Sequence, residues 1–171
     1  MQIQDFHLPI FEGLSEEQMH QLKPLMTLCT IPEDMVIFKQ GAVADSLYIL
    51  VDGEVAIHYK PYDGPSLVIS RIGPGNVFGW SSALNREFYS SAAIAEKNSL
   101  ALRIRGDELQ NLCETCPKTG AIFIDRLARV ISERLKNSHH EILALLSIGM
   151  DNKSDCWKRI NTNGKKVRLH T

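Results

Sequence analysis

A chain of 171 residues, 44% of them apolar, can enclose one core of ordinary size but not two full domains. Its 19 Lys and Arg against 20 Asp and Glu leave a formal charge of −1, which excludes a global basic field for coating phosphate backbones. No apolar run approaches the roughly 18 to 20 residues that cross a bilayer, Met1-Gln2-Ile3-Gln4-Asp5 has no export-signal character, and Cys29, Cys113, Cys116 and Cys156 are too scattered for a disulfide scaffold. A cytoplasmic globular protein with reduced thiols and no membrane contact is expected.

The first element is a short helix. Ser15 precedes Glu16-Glu17-Gln18, a capping-box pattern, and Met19, Leu22, Leu25 and Met26 recur at helical spacing. From Ile31 to Ile104 the texture changes to short β-branched runs: MVIFK, SLYIL, EVAIHYK, SLVISRI, SAAIA and LALRI. Gly41, Asp52-Gly53, Asp63-Gly64-Pro65 and Gly73-Pro74-Gly75 separate them. Strands joined by segments this short predict an antiparallel sandwich or barrel and exclude parallel crossovers.

After Gly106 the period is helical again. A short helix is predicted over Gly106 to Cys113, with Pro117 breaking it or starting the next. A long amphipathic helix follows over about 119–147, where Ile124, Ala128, Ile131, Leu135, Ser138, Ile142 and Leu145 alternate spacings of four and three. That alternation is the seam of a two-helix coil and predicts a homodimer, while Ile122, Phe123, Leu127 and Val130 would pack the first half on the sandwich. The domain is thus expected to span 1–148. Residues 149–171 form a short basic tail whose Lys153, Lys158, Arg159, Lys165, Lys166 and Arg168 are expected to be solvated.

The order of small helix, glycine-punctuated strands, short helix and long helix resembles the cyclic-nucleotide-binding domain of catabolite-activator-type (Crp/Fnr) regulators, kinase regulatory subunits and gated channels. The segments that carry it are LPIFEGLSEEQMHQL at 8–22, IFKQGAVADSLYILVDGEVAI at 37–57, IGPGNVFGWSSAL at 72–84 and SSAAIAEKNSLALRI at 90–104. The resemblance implies a mainly β fold, an antiparallel β jelly roll of the cupin-like kind with flanking helices and a long C-terminal helix. It also implies a phosphate-binding cassette over Phe78 to Ala92, a short helix plus loop. There Gly79 would let the backbone approach an anion, and the free N–H groups of Ser81, Ser82 and Ala83 would face it.

Members of the family that bind cyclic nucleotides carry a Glu just after the cassette glycine and an Arg before the final Ser/Thr-Ala. Those positions here hold Trp80 and Ser90. Arg86 inside the cassette and the hydroxyls of Ser90 and Ser91 are the candidate substitutes. Trp80 reads either as a stacking surface for a flat ligand or as a plug of about 200 Å² of apolar surface. Ser138, polar on the helix seam, reads as a ligand contact or a register-setting pair, and His139-His140 as an exposed turn.

The expected ligand is cyclic AMP, cyclic GMP or a similar small phosphorylated molecule, sensed without metal or catalysis, with a downstream protein partner. No Walker loop, GxSxG or HExxH is present; the strands offer only His58, and Cys113-Glu114-Thr115-Cys116 lacks a second ligand pair. The alternatives are a ligand-independent dimerisation scaffold and a Crp/Fnr-type regulator without its reading head. DNA binding is not expected, because about 22 residues after the long helix are too few for a helix-turn-helix unit.

Overall fold

The computed structural model describes residues 8–136; residues up to Ser132 belong to one compact unit and those from Glu133 on to a second. Eight strands run through the described residues: β1 (Met26–Ile31), β2 (Val36–Phe38), β3 (Ser46–Asp52), β4 (Val55–Tyr59), β5 (Leu67–Ile72), β6 (Val77–Phe78), β7 (Ala92–Ala95) and β8 (Ser99–Arg105). They form two four-stranded antiparallel sheets, in the orders β1-β8-β3-β6 and β2-β7-β4-β5. Mainly antiparallel β structure with flanking helices is what the sequence predicts.

The two-residue period of a strand sends neighbouring side chains to opposite faces, and β3 shows the consequence. Leu47 and Ile49, with Leu102 and Ile104 of β8, join Leu22, Leu109, Leu112, Phe123 and Leu127 in a buried cluster between the first sheet and the helices. Leu50, with Ala101 of β8, joins Val55, Ile57, Ile72, Phe78, Ala93 and Ala95 in a second cluster between the two sheets. One sheet therefore serves two cores.

Helix α1 (Glu16–Leu22) opens with the capping box: Gln18 N donates to Ser15 Oγ at 3.2 Å and Ser15 N to Gln18 Oε1 at 2.9 Å. It ends before Leu25 and Met26, which the helical spacing had included. Lys23–Leu25 tighten into a 3-10 turn holding Pro24, which has no amide to donate, and Met26 begins β1. Strand β1, paired with β8 from Met26↔Ile104 to Ile31↔Ser99, and the two-residue β6 are the strands that the sequence reading missed.

Helix α2 (Gly106–Thr115) runs two residues beyond its predicted end. Helix α3 covers 117–136, so Pro117 starts it, where a missing amide costs nothing. Phe123 and Leu127 are buried and Val130 packs beside them, as predicted for its first half, but Ile122 does not join this core, and Ile124 and Ile131, expected on the coil seam, pack against it instead. The predicted remainder of the helix, with Ser138, His139 and His140, and the basic tail lie outside the described residues. Among the described residues no helix is long and apolar enough to cross a membrane.

Candidate functional site

The segment 78–92 leaves the first sheet at β6 and enters the second at β7, so it bridges the two sheets at one end of the roll. Gly79 makes the departure at φ +72°, a conformation that costs an L-residue about 1–2 kcal/mol. A Cβ there would stand 3.0 Å from Ser46 O and 3.2 and 3.3 Å from the rings of Phe38 and Tyr48. The close approach that requires glycine is thus to the protein's own backbone and rings.

Beyond Gly79 the chain forms successive turns over 80–85 rather than the helix that the resemblance implies. Trp80 O accepts from Ala83 N at 3.0 Å and Leu84 N at 3.1 Å, Ser81 O accepts from Arg86 N at 3.0 Å, and Asn85 takes a left-handed φ of +57°. The expectation of a free Ala83 amide is therefore corrected: that N–H is engaged within the turn. The amides of Ser81 and Ser82 donate to no described residue, and Ser82 Oγ donates to Gly79 O at 3.2 Å.

Beneath Gly79 lies an aromatic floor. Phe38 stacks on Tyr89 with ring centroids 3.9 Å apart, and Tyr48 on Phe78 at 5.1 Å. The Tyr89 hydroxyl donates to Ser46 O at 2.6 Å and accepts from Ser46 N at 3.1 Å. Its main chain is tied to the loop before β3, through Tyr89 N to Ala42 O and Gly41 N to Tyr89 O, both 2.9 Å. Burial raises the pKa of both Tyr48 and Tyr89, so each is neutral at physiological pH. The far end of the cassette is thereby fastened to β3 through one phenol.

The indole of Trp80 is half-buried, neither enclosed nor open to solvent; Ser81 is buried, Ser90 exposed and Ser91 half-buried. Ala92 pairs with His58 of β4, so Ser91 and Ser90 run off the sheet at the end where Tyr59 pairs with Leu67. There Tyr59 and Leu67 are 43% and 52% exposed, and Ile69, in the bulge farther along β5, is 55% exposed. The sequence reading saw these residues only as strand formers. Their signal was available in SLVIS, an uncharged run on a strand that closes a sheet.

Ser82, Ala83 and Arg86 lie elsewhere. They line a cavity of about 750 Å³ on the outer side of the cassette, together with Asp45, Glu87 and residues of α2. Gly79, Trp80, Ser81, Ser90 and Ser91 do not line that cavity. The cation that the sequence offered as a substitute for the missing cassette Arg shares a wall with carboxylates, and it makes no ion pair with any described residue.

The family model for the cyclic nucleotide-binding domain matches residues 28–116. The chain is 25% identical over 134 residues to the cyclic AMP receptor protein of Thermus thermophilus, covering 78% of this chain and 60% of that protein. The chain therefore spans about three fifths of the length of this curated relative. Among solved structures, the catabolite activator protein of Thermus thermophilus superposes with a TM-score of 0.64 at 27% identity, over 81% of this chain and 63% of that one. A cyclic nucleotide-binding domain from Methylobacillus flagellatus superposes with a TM-score of 0.71 at 24% identity, over 81% of this chain and 77% of that one, a likeness of fold.

Proposed function

Because the chain belongs to the cyclic nucleotide-binding domain family, we propose that it is a non-enzymatic regulatory module whose cassette takes a cyclic nucleotide or a similar small phosphorylated ligand. One observation carries the reading: the amides of Ser81 and Ser82, just beyond the left-handed Gly79, have no protein partner among the described residues. Unpaired main-chain amides attract an anion without a charged side chain. The hydroxyls of Ser90 and Ser91 add donors, and Tyr59, Leu67 and Ile69 supply an apolar wall for a base.

With Trp80 and Ser90 where the family pattern has Glu and Arg, the charge-assisted bonds are missing. Each is worth about 1.5–3 kcal/mol, or roughly 10- to 150-fold in affinity. The ligand is held weakly, and binding shifts the domain only by favouring one arrangement of cassette and helices over another. Transmission runs through α3, whose Phe123 and Leu127 pack on the domain while Ala128 and Leu135 remain exposed for a second copy. The working form is a cytoplasmic homodimer with the domain over 1–148 and a basic tail over 149–171.

A second reading, a scaffold that binds nothing in the cassette, is favoured by the aromatic floor that closes the interior beneath Gly79. Titration calorimetry with cyclic AMP and cyclic GMP distinguishes the two. The sensor gives measurable heat with at least one nucleotide, and Ser90→Arg tightens it tenfold or more. No heat and no thermal shift at millimolar nucleotide, in either protein, leaves the scaffold.

A further inference from the structure

The cavity on the outer side of the cassette shares Ser82 with the ligand site proposed above and is otherwise lined by different residues. Its walls are the cassette turns, the N-terminal half of α2 and Ile124 of α3. At about 750 Å³ it has the size of a side-chain or small-ligand pocket. Three carboxylates, Asp45, Glu87 and Asp107, and two guanidiniums, Arg86 and Arg105, line it. Arg105 and Asp107 neutralise each other through two bonds of 3.0 and 2.7 Å. The remaining Asp45, Glu87 and Arg86 leave the cavity one negative charge, with Asp45 Oδ1 also 3.4 Å from the Tyr89 hydroxyl.

The start of α2 does not reverse that sign. Its first amide, Gly106 N, donates to Asp45 O at 2.8 Å, and Glu108 N donates to Asp107 Oδ1 at 2.9 Å, so these helix donors are already engaged. Beside the carboxylates, the half-buried Ile124, Ala44 and Ala83 offer aliphatic surface. Carboxylates next to aliphatic surface match a long side chain that carries its cation on an apolar stem.

We infer that this cavity is a docking site for a lysine- or arginine-bearing segment of a protein partner, the cationic head held by Asp45 and Glu87 and the stem lying on Ile124 and Ala83. Because the cassette forms one wall and α2 the other, an occupant holds their separation. By linkage it then alters whatever affinity the inner face of the cassette has. The inference does not depend on that inner face binding any ligand.

The test is a titration of the isotope-labelled full chain, followed by amide chemical shifts, with capped tripeptides Leu-Lys-Leu and Leu-Glu-Leu and with spermidine. The lysine peptide is expected to move the amides of residues 82–87 and 106–110. Asp45→Asn combined with Glu87→Gln should weaken it at least threefold, and Arg86→Glu should tighten it at least threefold. These three side chains are exposed, so the fold tolerates the changes. The inference is overturned if the glutamate peptide binds as well as the lysine peptide, if Arg86→Glu weakens binding, or if the shifts fall elsewhere. Binding by spermidine without binding by the peptide also overturns it, because the occupant would then be a small polyamine.

Discussion

The two sides of the first sheet are built for different tasks. Toward the helices, Leu47, Ile49, Leu102 and Ile104 meet Leu109, Leu112, Phe123 and Leu127 in a buried cluster formed mainly of aliphatic side chains. Toward the second sheet aliphatic side chains are joined by Phe38, Phe78 and Tyr89 beneath the cassette, and a single phenol hydrogen-bonded to Ser46 fastens the cassette's end. An aliphatic interface gains from area alone, without directional bonds. The cassette side depends on a few specific bonds and on turns rather than on regular structure. Stability and adaptability are thus assigned to opposite faces of the same strands.

If that division holds, substitutions should rank by side. Phe123→Ala, on the helix side and fully buried, should cost about 3–5 kcal/mol in denaturant unfolding, the cavity and transfer penalties together. A loss under about 1 kcal/mol would break the comparison. Gly79→Ala, on the cassette side, forces a left-handed residue against Ser46 O and should cost about 2 kcal/mol. Circular dichroism melts compare the two directly.

Tyr89→Phe removes the hydroxyl that joins the cassette to Ser46 and should cost about 1.5 kcal/mol at neutral pH. Its pH dependence sharpens the point. Burial raises the folded-state pKa of Tyr89 above the ordinary tyrosine value near 10, so its contribution is fully present below that pH. As pH climbs past it the unfolded chain releases the proton and stability falls. Unfolding midpoints between pH 9 and 11 should therefore decline less steeply in Tyr89→Phe than in the wild type. The smallest effect belongs to Ser90→Arg: an exposed position should leave the melting temperature unchanged while the nucleotide titration changes. A loss of stability there would mean that Ser90 supports the cassette rather than facing a ligand.

Much of the molecule was legible in the order of its residues. Turn signals at Gly41, Asp52-Gly53 and Gly73-Pro74-Gly75, alternating runs between them, and Ser15 with Gln18 specify local geometry through short-range sterics and hydrogen bonds. Fold class, antiparallel pairing and the N-terminal helix followed from such local rules, and the position of the cassette from the resemblance to a family.

What the chain order could not decide was which way each group faces and whether it is already engaged. Met26 fits a helical stripe, yet it pairs with Ile104, a partner 78 positions away. Ala83 stands where the resemblance places an anion donor, yet Trp80 O claims its amide, and Arg86, a few residues from the site it was expected to serve, lies in the outer cavity. Tyr59 and Leu67 came to lie at the sheet end where Ser91 leaves β7 only through sheet register. These are non-local contacts, fixed when distant segments pack together, and sequence spacing carries no direct record of them. The sequence determined the scaffold and the place of its binding segment. Tertiary packing decided which of the cassette's donors are already engaged and placed Arg86 in the outer cavity.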